Sequence, residues 1–263
     1  MLISSGLGFN TRSRFEMCGI GGIYRIENNP RIDNGNMEVL FKAIESRGKH
    51  ACGAAWVWAD SDNKVQLFKK ATRSSNLIRS GFTTKYIGEL LNFVLFHTRY
   101  ATKGTIENNL NNHPIHSGDV IMTHNGWFTN DEEVWSDLNT PRRAEVDSEA
   151  LAAALNDHGP QWALNELDGP ASIAWVDSNN PQNVNLLTNW QNPLVIGRLE
   201  NGNIVWASLA QHLFGLPIKD WWHAKPYRLY TLTPNGDIEK HDLEEPPSVY
   251  DSYGKPKYFE WSV

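Results

Sequence analysis

The stretch "RFEMCGIGGIYRI", residues 14–26, carries the main signal for both fold and chemistry. Met17 is followed directly by Cys18, and a glycine-rich apolar run follows the cysteine. The run at 19–26 is short and apolar, which predicts a buried strand. Taken alone, Cys18 is typical of a small buried hydrophobe, because free cysteine is among the most buried residue types.

The methionine before Cys18 indicates a second interpretation. If the chain begins at Cys18, its own α-amino group, with a pKa of about 8, lies beside the thiol. Such an amine can act as the general base for the thiol without a histidine partner. Cys18 is therefore a candidate N-terminal nucleophile, provided that residues 1–17 are absent from the mature chain.

Composition narrows the class of protein. The chain has 263 residues, 40% of them hydrophobic, which suffices for one large core or at most two small domains. A net charge of -6 argues against binding to nucleic acid or to an anionic membrane surface. No apolar run approaches the roughly 18 residues of a membrane span, and residues 1–16 do not resemble a secretory signal.

The two cysteines, Cys18 and Cys52, are too few for a disulfide framework. We therefore expect a cytoplasmic protein with free thiols, in which Cys52 is simply buried.

Strand patterns outnumber helix patterns along the chain. One helix is predicted over 33–48, with Asp33 or Asn34 as its cap and Gly48 closing it. Consecutive apolar runs separated by turn residues predict hairpins, and hence largely antiparallel sheets with helices packed outside. No linker or repeat is visible, so we expect one domain over 18–263 after an N-terminal extension, 1–17.

Two polar stretches follow predicted strands. Arg99 ends the strand "FVLFHTR" and opens a polar loop at 100–118, where loop length alone indicates function or disorder. Its guanidinium suits a carboxylate, although a surface ion pair is the simpler interpretation. Thr102 lies in the same loop and could add a hydroxyl contact.

The strand "DVIMTHN" ends at Asn125 and is followed by Gly126, and an Asn-Gly pair at a strand end is most simply a turn. Alternatively, the Asn125 amide and the Gly126 backbone N–H could form an oxyanion hole. Asp147 precedes a predicted helix, which is typical of a helix cap. A capping carboxylate can still leave one oxygen for a ligand ammonium group.

Together these stretches resemble the class II glutamine amidotransferase domain, an N-terminal nucleophile hydrolase, as found in glucosamine-6-phosphate synthase and amidophosphoribosyltransferase. The blocks occur in the family's order over most of 17–208. They are "MCGI" at 17–20, "RG" at 47–48, "HTRYATKG" at 97–104, "NNHP" at 111–114, "HNG" at 124–126 and "VDSEAL" at 146–151.

The resemblance implies an α+β fold: a four-layer αββα sandwich of two stacked antiparallel sheets. It also implies that Cys18 attacks the side-chain amide of L-glutamine to give a glutamyl thioester, then glutamate and ammonia. Asn125 and Gly126 would stabilise the oxyanion, while the remaining matched residues would bind substrate or support the site. These are Arg99 and Thr102 for the carboxylate end, Asp147 for the ammonium group and Arg47 near the nucleophile. The resemblance implies no metal and no organic cofactor.

Three departures from the family pattern matter. His50 stands where the family has an aspartate two residues after the Arg-Gly pair. The aromatic residue after the family's arginine, often Trp, is Tyr100 in this chain. Lys103 stands where the family frequently has a histidine. Cys18 is not encoded at position two, so the extension is either a propeptide that is removed or the result of a misassigned start, with Met17 as the true initiator.

About 55 residues follow the last matching block, which is too short for an acceptor domain. We therefore expect a glutaminase subunit that passes ammonia to a separate synthase subunit, for which the segment "EEPPSVYDSYGKPKYFEWSV" is a candidate docking tail. The same tail could equally pack on its own domain. Two other functions stay open: hydrolysis of another γ-glutamyl amide without ammonia transfer, and an inactive interaction module of the same fold.

Overall fold

The computed structural model describes residues 17–60, 64–189 and 192–246. Within these ranges the chain forms thirteen strands: β1 Gly19–Tyr24, β2 Ala51–Trp58, β3 Gln66–Lys70, β4 Leu91–Arg99, β5 Ile115–Ser117, β6 Val120–Gly126, β7 Ala171–Asp177, β8 Asn180–Thr188, β9 Val195–Leu199, β10 Ile204–Ala207, β11 Ile218–His223, β12 Arg228–Leu232 and β13 Ile238–Asp242. They form a seven-stranded sheet in the order β11-β9-β10-β1-β4-β2-β3 and a six-stranded sheet in the order β13-β12-β8-β7-β6-β5. The recorded strand pairs are antiparallel, as the hairpin pattern predicts.

Helices connect the strands. The α-helices are α1 Asn34–Ile44, α2 Ser74–Arg79, α3 Asp131–Val134, α4 Asp147–Asp157 and α5 Pro160–Glu166. Shorter helical segments are a π-helical turn at Thr83–Ile87 and 3₁₀ turns at Asn109–Asn111, Trp135–Asp137 and Ala210–Leu213.

Three apolar clusters divide the molecule into four layers. The middle cluster lies between the sheets and joins Ile20 and Leu95 of the seven-stranded sheet to Val176 and Leu186 of the six-stranded sheet. A second cluster packs α1 and α2 on the outer face of the seven-stranded sheet. A third packs α4 and α5 on the outer face of the other sheet. The predicted αββα sandwich is confirmed.

Strand β1 lies inside the seven-stranded sheet, where it pairs with β10 on one side and β4 on the other. Its glycines allow close packing: a Cβ on Gly22 would lie 2.1 Å from the Trp206 ring and 2.4 Å from the Val94 carbonyl oxygen. The glycine-rich run after Cys18 is therefore a packing requirement of a central strand.

The structure corrects part of the sequence prediction. Asp33 caps α1 as predicted, accepting a hydrogen bond from the Asn36 N–H at 2.9 Å, but the helix ends at Ile44. The expectation that Gly48 closes the helix is wrong. Gly48 does not have the positive φ of a helix-terminating glycine, and it lies against the end of β4. Helices α2 and α5 and strand β11 were not predicted.

Two predicted segments fall largely beyond the described ranges. These are the N-terminal extension, apart from Met17, and the candidate docking tail from residue 247 onward. Among the described helices, none combines the length and apolar character that crossing a bilayer requires.

Candidate active site

Cys18 immediately precedes β1, so a central strand fixes its position. The thiol is partly buried and free, and its Sγ lies 3.7 Å from the carbonyl oxygen of Tyr100. Burial raises the pKa of the Cys18 thiol to about 11, while Arg99 and Arg47 oppose that shift. With Met17 attached, the thiol is held protonated at neutral pH beside two guanidinium groups.

Arg47 fastens the backbone of the candidate nucleophile. Its Nε donates to the Cys18 carbonyl oxygen at 2.8 Å, and the side chain is 5% exposed. Desolvation by burial lowers the pKa of Arg47, and the Cys18 charge raises it. Arg47 therefore lies beside Cys18, and its positive charge favours the thiolate form of that residue.

Arg99, at the end of β4, holds the polar loop that follows it. One terminal nitrogen, Nη1, donates to Asn112 Oδ1 at 2.8 Å and to the Thr105 carbonyl at 3.3 Å. The other, Nη2, donates to the Gly104 carbonyl at 3.0 Å and to that of Lys103. The guanidinium thus shapes the loop that carries Thr102, and its role as a carboxylate clamp stays a prediction.

An ion-pair network ties the same loop to α3. Lys103 Nζ lies 2.6 Å from Asp131 Oδ2 and 3.0 Å from Glu132 Oε1, and Arg142 contacts both carboxylates. Asp131 is buried whereas Glu132 is largely exposed. Thr102 is exposed on this anchored loop, so its hydroxyl is accessible to a ligand.

His50, which stands where the family has an aspartate, contacts the start of the polar loop. His50 Nδ1 accepts a hydrogen bond from the Ala101 N–H at 3.0 Å, and its ring lies 4.8 Å from the Tyr100 ring. His50 thus connects the segment after Arg47 to the start of the loop.

Asn125 lies at the end of β6 with its side chain fully buried. Among the described residues, neither Nδ2 nor Oδ1 of that side chain has a hydrogen-bond partner. Leaving a buried amide unpaired costs about 1–3 kcal/mol, so the group is expected to have a ligand. Strands β1 and β6 contact each other across the two sheets, which brings this amide to the end of the molecule that holds Cys18.

Gly126 follows directly and can only be glycine. Its φ is +156°, and a Cβ there would lie 1.8 Å from the Pro170 carbonyl oxygen. This close approach lets the backbone turn away from β6 immediately after Asn125.

Asp147 is the first residue of α4, after Val146 at the N-cap position. Its Oδ2 accepts from the Phe128 N–H at 2.8 Å, so the carboxylate connects α4 to the segment after Gly126. Burial raises the pKa of Asp147, and its charge in turn raises the pKa of the Cys18 thiol. The structure therefore brings Asp147 into the same electrostatic environment as Cys18, Arg47 and Arg99.

Sequence reasoning missed a cluster of three buried histidines behind the site: His97, His113 and His124. The His97 and His113 rings stack with centroids 4.0 Å apart, and His97 Nε2 lies 3.0 Å from the His124 carbonyl oxygen. Burial lowers the pKa of His97 and of His124 to about 3, and that of His113 well below its usual value. Each of these histidines lies in one of the sequence blocks that resemble the family. Their presence in those blocks is the sequence feature that could have pointed to the cluster.

Cys52, on β2, is buried as expected, and burial raises the pKa of its thiol to about 12. In the part of the chain that the structure describes, no three His, Cys, Asp or Glu side chains are arranged to hold a metal ion.

Residues 97–215, which include Arg99, Asn125 and Asp147, match the family described as a glutamine amidotransferase domain. The chain carries a class II glutamine amidotransferase domain. The domain is 29% identical over 199 residues to the glutamine–fructose-6-phosphate aminotransferase of Wigglesworthia glossinidia brevipalpis, covering 69% of this chain and 30% of that protein. The corresponding Pyrobaculum aerophilum protein is 31% identical over 208 residues, covering 72% of this chain and 32% of that protein.

The fold of the class II domain also matches a solved structure. Glutamine phosphoribosylpyrophosphate amidotransferase from B. subtilis superposes with a TM-score of 0.68 at 17% identity, covering 86% of this chain and 49% of that one. The chain spans about 30% of the length of the two curated relatives. These relatives are enzymes of the glutamine amidotransferase class.

Proposed function

We propose that this class II domain hydrolyses the side-chain amide of L-glutamine, with Cys18 as the N-terminal nucleophile of the mature chain. The observation that supports this most strongly is the buried, unpaired amide of Asn125 on the strand facing β1. An acyl-transfer site needs such a donor for the oxygen that becomes negative in the transition state. The large majority of buried side-chain amides in proteins are hydrogen-bonded, so an unpaired amide at this position favours a role in ligand binding.

The mechanism begins when the Cys18 α-amine takes the thiol proton and the sulfur attacks the amide carbon. The resulting oxyanion accepts hydrogen bonds from Asn125 Nδ2 and the Gly126 N–H. The C–N bond then breaks, and the departing nitrogen takes the proton from the α-ammonium group and leaves as ammonia.

Hydrolysis of the thioester completes the turnover. A water molecule attacks the thioester carbonyl as the α-amine accepts one of its protons. Breaking the C–S bond releases glutamate, and the proton returns to sulfur to regenerate the thiol. Arg47 and Arg99 support the transient thiolate, since both lower the pKa of Cys18.

Substrate binding is assigned to the charged residues around Cys18. Arg99, with Thr102 in the loop it supports, receives the α-carboxylate, and Asp147 receives the α-ammonium group. The burial of Arg99 and Asp147 favours these roles, because buried charges need partners of opposite sign. Arg47 is the residue that holds the Cys18 backbone.

Two features of the mature chain extend the proposal. Residues 1–17 are absent from the active form, either through removal of the whole extension or through translation from Met17 followed by removal of that methionine, because an amide nitrogen at Cys18 cannot act as the base. Domain 18–263 then passes ammonia to an acceptor on a separate synthase subunit. The relatives' names support a transfer role, since they are aminotransferases that use glutamine as donor.

The decisive experiment compares two forms of the protein whose N-termini are verified by intact mass. One begins at Cys18, and the other retains Met17 and the residues before it. We expect glutamate and ammonia from glutamine with the first form and at least a hundredfold less with the second. The matched control is Cys18→Ala in the mature form. A mature chain that binds glutamine without hydrolysing it, or that cleaves only larger γ-glutamyl amides, would contradict the proposal.

A further inference from the structure

We propose that His97 is the positioning residue of the oxyanion hole, and that it acts through a hydrogen bond between the two sheets. The inference rests on the proposed glutaminase function. It assigns to His97 a task that the resemblance in sequence did not suggest: holding the backbone that carries Asn125.

The bond joins elements that belong to different layers. His97 lies on β4 of the seven-stranded sheet, and its Nε2 lies 3.0 Å from the carbonyl oxygen of His124 on β6 of the six-stranded sheet. Both side chains are at most 1% exposed. Because a carbonyl oxygen only accepts, Nε2 must carry the hydrogen, which fixes the neutral tautomer of His97.

Strand β6 needs this support where the site begins. Strand β5 pairs only with residues Val120 to Met122, whereas β7 pairs with β6 as far as Gly126. Beyond Met122, β6 therefore has one neighbouring strand among the described residues. The His124 carbonyl takes its recorded side-chain hydrogen bond from His97 instead.

The next carbonyl along β6 is also held by a side chain. Asn192 Nδ2 donates to the Asn125 carbonyl oxygen at 2.7 Å, and Asn192 is 4% exposed. The carbonyl groups before and after the Asn125 Cα are thus each fixed by a buried donor. This matters because the Asn125 side chain has no hydrogen bond of its own in the described structure. Its amide is placed by the backbone alone.

The consequence is a specific kinetic effect. Asn125 would act on the oxyanion, which exists only in the transition state and the tetrahedral intermediate. Loosening its backbone should therefore reduce kcat while leaving the KM for glutamine nearly unchanged. A defect in general packing would instead lower the amount of folded enzyme or change both constants.

The test compares His97→Leu with His97→Gln in the mature protein. Leucine removes the donor, whereas the glutamine amide nitrogen can occupy the position of Nε2. We expect kcat to fall about 100-fold in H97L with KM within about threefold of wild type, and at least a tenfold recovery in H97Q. Equal kcat values for the two variants would overturn the proposal.

Two further measurements keep the inference separate from the proposed function. If H97L does not fold, His97→Asn replaces it, because the shorter amide cannot reach the His124 carbonyl; full activity in H97N would contradict the proposal. If the wild-type protein does not hydrolyse glutamine, crystal structures of H97Q and H97N decide the positioning role. Asn125 must move in H97N and stay in place in H97Q, and an unmoved Asn125 in H97N refutes it.

Discussion

Gly48 lies against the backbone of Arg99: a Cβ on Gly48 would be 2.4 Å from the Arg99 carbonyl carbon. It would also lie 2.7 Å from the Tyr100 nitrogen. The preceding residue, Arg47, bonds the Cys18 carbonyl. The Arg-Gly pair after α1 therefore connects the candidate nucleophile to the point where β4 becomes the polar loop.

Replacing Gly48 with alanine should destabilise the protein by about 1–3 kcal/mol, because backbone atoms cannot yield to the added methyl group. The free energy of unfolding in urea measures this. The matched control is Gly35→Ala, at an exposed position of α1, where the methyl would meet only the Asp33 carboxylate, an exposed side chain that can shift, at 2.9 Å. G35A should stay within about 1 kcal/mol of wild type, and equal losses in both variants would show that Gly48 has no special contact.

Asn125→Ala should lower kcat for glutamine hydrolysis by about 10²–10³ with little change in KM, since the lost donor acts on the oxyanion. Steady-state kinetics of the mature protein measures this. The variant should fold normally, because the amide makes no hydrogen bond within the described structure. A large rise in KM at unchanged kcat would assign Asn125 to substrate binding instead.

Asp131→Asn should loosen the polar loop that follows β4. The buried carboxylate is shared by Lys103 and Arg142, and its loss leaves these cations with the exposed Glu132. We expect a loss of about 1–3 kcal/mol and a KM for glutamine raised about three- to tenfold. Hydrogen exchange of the loop and kinetics report the two effects.

Glu132→Gln is the control for that network, because exposed ion pairs contribute only about 0–1 kcal/mol. An effect of E132Q as large as that of D131N would mean that burial of Asp131 is not what anchors the loop.

Stability should fall as the pH drops below about 6.5, the ordinary histidine pKa. Burial depresses the pKa of His97 and His124 to about 3 and that of His113 as well. The unfolded chain therefore takes up protons that the folded chain refuses. Each of these histidines should cost about 1.4 kcal/mol per pH unit below that value.

Urea denaturation at several pH values between 7.5 and 5 measures this loss. In H97Q the slope of unfolding free energy against pH should decrease by one histidine's share. A wild-type protein that keeps its full stability down to pH 5 would show that the three rings accept protons in the folded state.

Sequence reasoning succeeded where local apolar runs and turn residues mark where a strand begins or ends. The sequence placed Cys18 before one strand and the Asn125-Gly126 pair at the end of another, and the structure brings those two strands, β1 and β6, into contact; the catalytic roles of these residues stay a prediction. Sequence reasoning failed where a residue's role depends on contacts between distant segments. Gly48 resembled a helix terminator, yet its partner, Arg99, is remote in sequence. The sequence marks His97 only as a strand residue, because its hydrogen bond to the His124 carbonyl joins two different sheets.

Strand β11 was also not predicted, because its place depends on a contact with a separate strand. It is an edge strand whose side chains are mostly exposed, so alternation of apolar and polar residues is weak. Its place in the sheet comes from pairing with β9, which the local sequence does not reveal.

The central position of β1 has a consequence for maturation. The strand begins at Gly19, and both of its neighbours pair with residues after Cys18. Freeing the Cys18 nitrogen would thus break one covalent bond outside the ladder and leave each of those pairings intact. A precursor and its product would therefore share these strand pairings, and activity would be conferred by a change of charge at a single atom.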